Sequence, residues 1–266
     1  MILIKAGGGK SINWNYIAQD IFELQKKEKV IIVHGAGSIR NEIADKLGYP
    51  TKVITSPSGI ESVFTDDKAI EIFTMVYCGL MNKKIVETLQ KNGVNAVGLS
   101  GIDGGLWRAK AKKDVIAVEN GKTKLLKNNR TGRVEKINVD LIQLLLKNNY
   151  VPVISSPALS YENEIVNTDN DWASAIMAGD LKIETMIVLF EEAGLLKDFK
   201  DKKSIIKSVS KNELDIMMQF AHGRMKKKIL GAKKAFELGL KKMYWGDGRI
   251  QHPIINVLHG NATIIS

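Results

Sequence analysis

Short apolar runs alternate with amphipathic ones along nearly the whole chain. Runs rich in Val and Ile predict strands at 2–5, 30–33, 52–54, 94–99, 151–154, 185–190, 205–208, 241–245 and 262–265. Apolar residues recurring at helical spacing predict helices over 11–28, 38–47, 65–91, 138–148, 170–180, 211–220 and 225–238. Strands separated by helical patterns imply a mainly parallel sheet covered on both faces, a three-layer α/β/α sandwich. The stretch 65–91 carries more apolar residues than one buried face requires: Ile70, Ile72, Phe73, Met75, Val76, Tyr77, Cys78, Leu80, Met81, Ile85, Val86 and Leu89. A helix apolar all round is either central in its own domain or shared with a partner, as in a homodimer.

Residues 108–136 break the alternation. Asp114 to Glu119, the turn Asn120-Gly121 and Lys122 to Leu126 form a strong hairpin signal. An insert of this kind in an α/β sheet covers a site or makes an interface.

Two junctions carry the candidate chemistry. The first strand runs through Lys5 into Gly7-Gly8-Gly9, and the second runs into His34-Gly35-Ala36-Gly37 before a helix. Glycine has no Cβ, so backbone can approach a phosphate and offer N–H groups. A helix N-terminus adds its positive dipole, and Lys5 adds a point charge. If the two strands are neighbours in a parallel sheet, both loops face one pocket at its C-terminal edge.

Composition narrows the function. With 266 residues the chain suffices for one large domain or two lobes sharing a sheet. No run of about 18 apolar residues and no basic-then-apolar leader is present, so neither a membrane span nor a signal peptide is expected. The single cysteine, Cys78, sits in an apolar run and suits a buried thiol in a reducing cytoplasm. The net charge of +10 is concentrated in 108–136, where ten Lys and Arg face three acids. Such a patch attracts an acidic partner. Apart from Trp107 no aromatic interleaves with these charges, and no nucleic-acid motif appears.

Two further segments stand out. Asn167-Thr168-Asp169-Asn170-Asp171 leads from a strand end into a small-residue helix. Capping needs one Asn or Asp, Asn167 or Asp169, and this run supplies four. Asp171 falls in the first helical turn, where it can face a ligand. Near the C-terminus, Met225-Lys226-Lys227-Lys228 opens a helix with three lysines at the end its dipole disfavours, which a functional lysine would justify.

In order and spacing, these segments resemble the amino-acid kinase family, especially acetylglutamate kinases and the relatives acting on LysW-carried aminoadipate or glutamate. Further landmarks are Thr55-Ser56-Pro57-Ser58-Gly59-Ile60, Asn82-Lys83-Lys84-Ile85, Ala96-Val97-Gly98-Leu99-Ser100-Gly101 and Thr131-Gly132-Arg133-Val134. The resemblance implies transfer of the ATP γ-phosphoryl group to a side-chain carboxylate, giving an acyl phosphate in lysine or arginine biosynthesis, with Mg2+ held by phosphates and water rather than by protein ligands. It implies that residues 1–166 hold the acid and 167–266 the nucleotide. Lys5 and Lys228 would clamp the phosphoryl group, with Asp171 orienting both. Gly8 and Gly9 would take phosphate; Gly35, Ala36, Gly59 and Asn167 the acid; Gly194 and Met225 the nucleotide. A small acidic carrier protein would dock on 108–136.

The chain also departs from that pattern. Where carrier-dependent relatives read Gly-Ile-Arg-Ser-Arg-Tyr-Thr, this chain has Gly59-Ile60-Glu61-Ser62-Val63-Phe64-Thr65, without the arginines that grip a carboxylate. Phe190-Glu191-Glu192 stands where a small hydroxyl and an aspartate are usual, and Asn170 and Trp172 replace smaller or amide residues. A non-catalytic or altered-substrate member of the fold, and a carbamate, phosphate-monoester or uridylate kinase, are the competing expectations.

Overall fold

The computed structural model describes residues 1–119 and 121–266; the turn expected at Asn120-Gly121 has its first residue outside them. Two strand–turn–helix units come first: β1 (Ile2–Ala6), α1 (Trp14–Leu24), β2 (Val30–His34) and α2 (Gly37–Lys46). A small antiparallel ribbon follows, β3 (Val53–Thr55) and β4 (Glu61–Val63). Then come α3 (Asp67–Thr74), a π-helical segment (Met75–Met81) and α4 (Asn82–Lys91). The middle of the chain holds β5 (Ala96–Gly101), β6 (Trp107–Lys112), β7 (Val115–Glu119), β8 (Lys122–Leu126), β9 (Thr131–Ile137), α5 (Val139–Lys147), β10 (Val151–Ser160) and β11 (Ile165–Val166). The last part holds α6 (Asn170–Asp180), β12 (Thr185–Phe190), β13 (Ser208–Val209), α7 (Leu214–Met217), α8 (Arg224–Glu237), β14 (Lys242–Asp247), α9 (Pro253–Leu258) and β15 (Thr263–Ile265).

One large sheet organises these elements, in the order β13-β15-β14-β12-β1-β2-β10-β6-β9, with β5 and β11 also on β10. β1 lies between β12 and β2, parallel to both, so the two glycine loops leave adjacent strands at the same edge. Successive side chains of a strand point to opposite faces. Ile2 and Ile4 join a core with α1, α4 and α9, whereas Leu3 joins one with α5, α6 and α8. Lys5, two positions after Leu3, therefore projects toward α6 and α8. The sandwich is the expected three-layer fold.

Several elements differ from expectation. β6 and β9 are strands of the main sheet, paired antiparallel to each other, and only β7 and β8 form the separate hairpin. β4 and the short α9 carried no periodic signal. The stretch 211–220 folds as short helical turns around α7, and of 205–208 only Ser208 falls in a strand, the two-residue β13. The stretch 65–91 is broken by its π-helical turns. Much of its apolar excess is absorbed within the chain: Phe73 and Tyr77 stack at 3.9 Å and, with Ile70, Ile72 and Val76, pack against α2.

Candidate active site

The glycine loops interlock. A Cβ on Gly8 would come 2.4 Å from Gly37 N and 2.6 Å from Ala36 N, and one on Gly35 would come 2.7 Å from Gly8 N, so no larger residue fits without moving backbone. Ser38 N donates to Gly8 O at 2.9 Å and fastens the junction. Gly35 N donates to Ala6 O at 3.0 Å and is therefore committed to the scaffold. Among the described residues, neither Gly8 N nor Ala36 N has a protein acceptor.

Each residue of the Asn167–Asp171 run has a side-chain task on this edge, Thr168 by sharing a 3.1 Å hydrogen bond with the Ser156 hydroxyl. Asp169 caps α6, accepting from Trp172 N at 3.0 Å. Asn167 donates to Thr65 Oγ1 at 2.9 Å, and Asn170 to His34 O at 2.8 Å. Asp171 accepts from Lys5 Nζ at 2.6 Å and lies 3.4 Å from Lys228 Nζ. α8 can approach Asp171 because Gly231 faces it: a Cβ there would sit 3.0 Å from the Asp171 carbonyl. Lys228, one turn before Gly231, points the same way, and Lys227 reaches Asp169 at 3.7 Å. Two of the three misplaced lysines, Lys227 and Lys228, thus meet carboxylates at the start of α6.

Burial and charge set the protonation of this trio. Burial disfavours the Lys5 ammonium, but the pairing with Asp171 outweighs it and holds the pKa above the ordinary lysine value. Burial opposes the Asp171 carboxylate too, yet the two lysines hold it well below the usual range. Lys228 is pushed down to about 8, chiefly by burial, with the repulsion of Lys5 adding to it against the pull of Asp171.

These groups open onto a cavity of about 1060 Å3. Lys5, Gly8, Gly9, Gly35, Asn167, Asp171, Gly194, Met225 and Lys228 all line it; Ala36 and Gly59 are not on its wall, although Ser58 and Ile60 are. Residues of the basic segment, Lys112, Arg133 and Val134 among them, form another side. The unexpected residues have local explanations. Glu191 fills the space beside Gly9, accepts from Ser11 N at 3.1 Å and bonds the Ser11 hydroxyl; these bonds hold its carboxyl below the usual pKa. Glu192 pairs with Lys202. Phe190 lies under Lys228, with Nζ 5.3 Å from the ring centre. Trp172 donates to Val134 O at 3.0 Å and stacks under Arg133 at 3.4 Å, joining α6 to β9.

Two cationic residues on the cavity wall were not singled out from the sequence. Arg40 lies in α2 with 7% of its surface exposed, and Arg224 opens α8 beside Gly37. On an amphipathic pattern both look like ordinary solvated charges, and only the packing of α2 against α3 turns Arg40 inward. Among the described residues no three His, Cys, Asp or Glu side chains converge into a cation site. No helix among them is long and apolar enough to cross a membrane.

The amino acid kinase family model matches residues 1–244, so the chain belongs to that family. Its site is accordingly that of a phosphotransferase. Similar proteins include a [LysW]-aminoadipate kinase of Deinococcus radiodurans, 46% identical over 100% of this chain and 91% of that one. Another is the [LysW]-aminoadipate kinase of Thermus thermophilus, 42% identical over 100% of both chains. Among solved structures, N-acetylglutamate synthase from Neisseria gonorrhoeae superposes with a TM-score of 0.80 at 18% identity; this chain spans 59% of its length. An isopentenyl phosphate kinase covers 100% of both chains with a TM-score of 0.67 at 18% identity. At such identities the structures speak for the fold alone.

Proposed function

We propose that this chain transfers the γ-phosphoryl group of ATP to the side-chain carboxylate of an N-blocked acidic amino acid, aminoadipate or glutamate carried on a small acidic protein. The observation that carries the reading is the buried Lys5–Asp171–Lys228 trio beside two interlocked glycine loops at the C-terminal edge of the sheet. The names of relatives that align over the whole chain support the acid and the carrier.

A carboxylate oxygen of the acid attacks the γ-phosphorus, the bond to the β–γ bridging oxygen breaks, and ADP leaves with that electron pair. Such transfer asks the protein for position and positive charge rather than covalent help. Lys5 would hold the phosphoryl oxygens from the acid side, in 1–166, and Lys228 from the nucleotide side, in 167–266. Asp171 would aim both ammonium groups without taking a proton. The free N–H of Gly8 would face developing charge, with Gly9 and Gly35 keeping the loops thin. Asn167 and the turn at Gly59 would orient the acid, and Gly194 and Met225 would border the nucleotide. Among the described residues no carboxylates converge into a resident metal site, so Mg2+ would come with the nucleotide.

Hydroxylamine traps acyl phosphates as hydroxamates. With ATP, one of the carrier-bound or N-acetylated acids should yield hydroxamate in step with ADP; a chain that yields none with any of them is not this kinase. We further read the 65–91 stretch as a homodimer contact, because Met75 remains 55% exposed beside partly exposed Leu80. Light scattering at micromolar concentration should give twice the chain mass, and a monomer would refute the contact.

A further inference from the structure

Arg40 is a buried guanidinium without a carboxylate. It is 7% exposed, its Nε donates to Asn41 Oδ1 at 3.0 Å, and its carbon centre lies 5.9 Å from the Phe73 ring. Among the described residues no Asp or Glu pairs with it, and its terminal nitrogens have no acceptor. Those nitrogens still touch open space, since they are not among the fully enclosed unsatisfied atoms. That space is the active-site cavity, which Arg40 lines together with Val63, Phe73 and Tyr77. A buried charge without a partner is costly, and a planar fork of donors matches a carboxylate.

The surroundings add to the positive field. Arg40 lies in the first turn of α2, whose N-terminus has no side-chain cap and no acid. Arg224 stands beside the same turn, with Nη1 3.6 Å from the position of a Cβ on Gly37. Burial and Arg224 both weaken the hold of Arg40 on its proton, and Tyr77 opposes them. Arg40 lies on the apolar side of the cavity, beside Phe73 of α3 and Val63 of β4.

We propose that Arg40 binds a second carboxylate of the acid substrate, the one that is not phosphorylated, and so makes the site specific for a diacid. This rests on the kinase reading above and gives its N-blocked acid a second anchor: the α-carboxylate seats on Arg40 while the distal carboxylate meets Lys5. Val63 offers no charge on the facing strand, and Arg40 supplies it from the helix instead.

The test is binding of N-acetyl-2-aminoadipate and N-acetylglutamate by calorimetry, against 5-acetamidopentanoate and 4-acetamidobutanoate, which lack only the α-carboxylate. The wild-type protein should favour a diacid by about 50-fold or more, the range expected when one charged hydrogen-bonding partner is lost. Arg40→Met keeps the packing on Phe73, and it should erase that preference. Arg40→Lys keeps the charge without the fork and should retain a small part of it. ATP affinity should not change. The melting temperature of Arg40→Met without ligand should equal or exceed wild type, since an unpaired buried charge is removed. An undiminished diacid preference in Arg40→Met overturns the proposal, as do equal wild-type affinities for the paired acids, lost ATP affinity, binding of neither diacid, or a variant that melts earlier. Should Arg40→Met not fold, the wild-type comparison and Arg40→Lys still decide. Arg40-dependent diacid binding without hydroxamate formation would remove the kinase reading and leave this site, whereas turnover indifferent to Arg40 would do the reverse.

Discussion

At the scale of single residues, the proposed transfer rests on three charges whose protonation is not equally secure. Lys5 is reinforced by its 2.6 Å pair with Asp171, while Lys228 lies farther off and is pushed down to about 8. A lowered lysine pKa means that the charge is present below that value and is lost as pH rises through it. Turnover should therefore fall above about pH 8, and Lys228→Arg, which cannot deprotonate in that range, should move the fall upward. Lys228→Ala or Lys5→Ala should lower kcat by roughly 10²–10³, as for other single transition-state donors. Normal kcat in either alanine variant, or a wild-type rate level to pH 10, would exclude the role. Each segment of the trio broke a local rule in the sequence: a lysine at a strand end, surplus Asn and Asp at a cap, lysines at a helix N-terminus, from which only the family resemblance singled out Lys228. Arg40 broke none, since an arginine on a helix is ordinary until its neighbours are known.

At the scale of elements, a buried His34 holds the second strand to its surroundings. Asn82, from the start of α4, donates to His34 Nε2 at 3.1 Å and to Val153 O at 2.9 Å, so one amide joins α4 to β2 and β10. Nε2 is then an acceptor, and Nδ1–H faces Gly35 O at 3.3 Å. A proton on Nε2 would face the Asn82 amino group. Burial, with Lys83 adding to it, pushes the imidazole down to about 4. The folded state thus binds this proton less readily than the unfolded chain, whose value is 6.5. The stability is fully present above 6.5 and is lost as pH falls toward 4, by up to about 3 kcal/mol. The His34 ring should titrate near 4 by NMR; a midpoint near 6.5 would sink the argument. The strands that were legible are those buried on both faces, β1, β2 and β12, because they read as unbroken apolar runs. β6 and β9 were not, since each alternates with lysines and arginines on its open face and resembled hairpin arms. The π-helical break was also hidden, because its residues keep the apolar character of a continuous helix.

At the scale of the whole molecule, the position of the basic segment matters more than its charge. Part of its charge is answered within the chain, where Lys124 meets Glu119 at 2.8 Å, Arg130 meets Asp67 at 2.7 Å and Lys113 meets Glu164 at 3.3 Å. Lys110 has no such partner among the described residues, and Lys112 stands on the cavity wall near Arg133 and Lys227, where burial and these charges lower its pKa. Unanswered positive charge at the mouth of a site suits a substrate that arrives on an acidic macromolecule better than a free acid, which needs only the pocket. Steering of this kind speeds association and weakens as salt is added, since the screening length is about 8 Å at physiological ionic strength. Charge reversal at Lys110, Lys112 and Lys113 should therefore raise KM for a carrier-bound acid several-fold and flatten its salt dependence. KM for ATP should stay nearly unchanged, because the nucleotide reading assigns ATP to residues after 166. Lys110 alone should account for much of the effect, as Lys113 already has an acid of its own. Full activity on a free N-acetylated acid, indifferent to salt and to these three lysines, would mean that the patch is solvated surface and that the acid reaches Lys5 unaided.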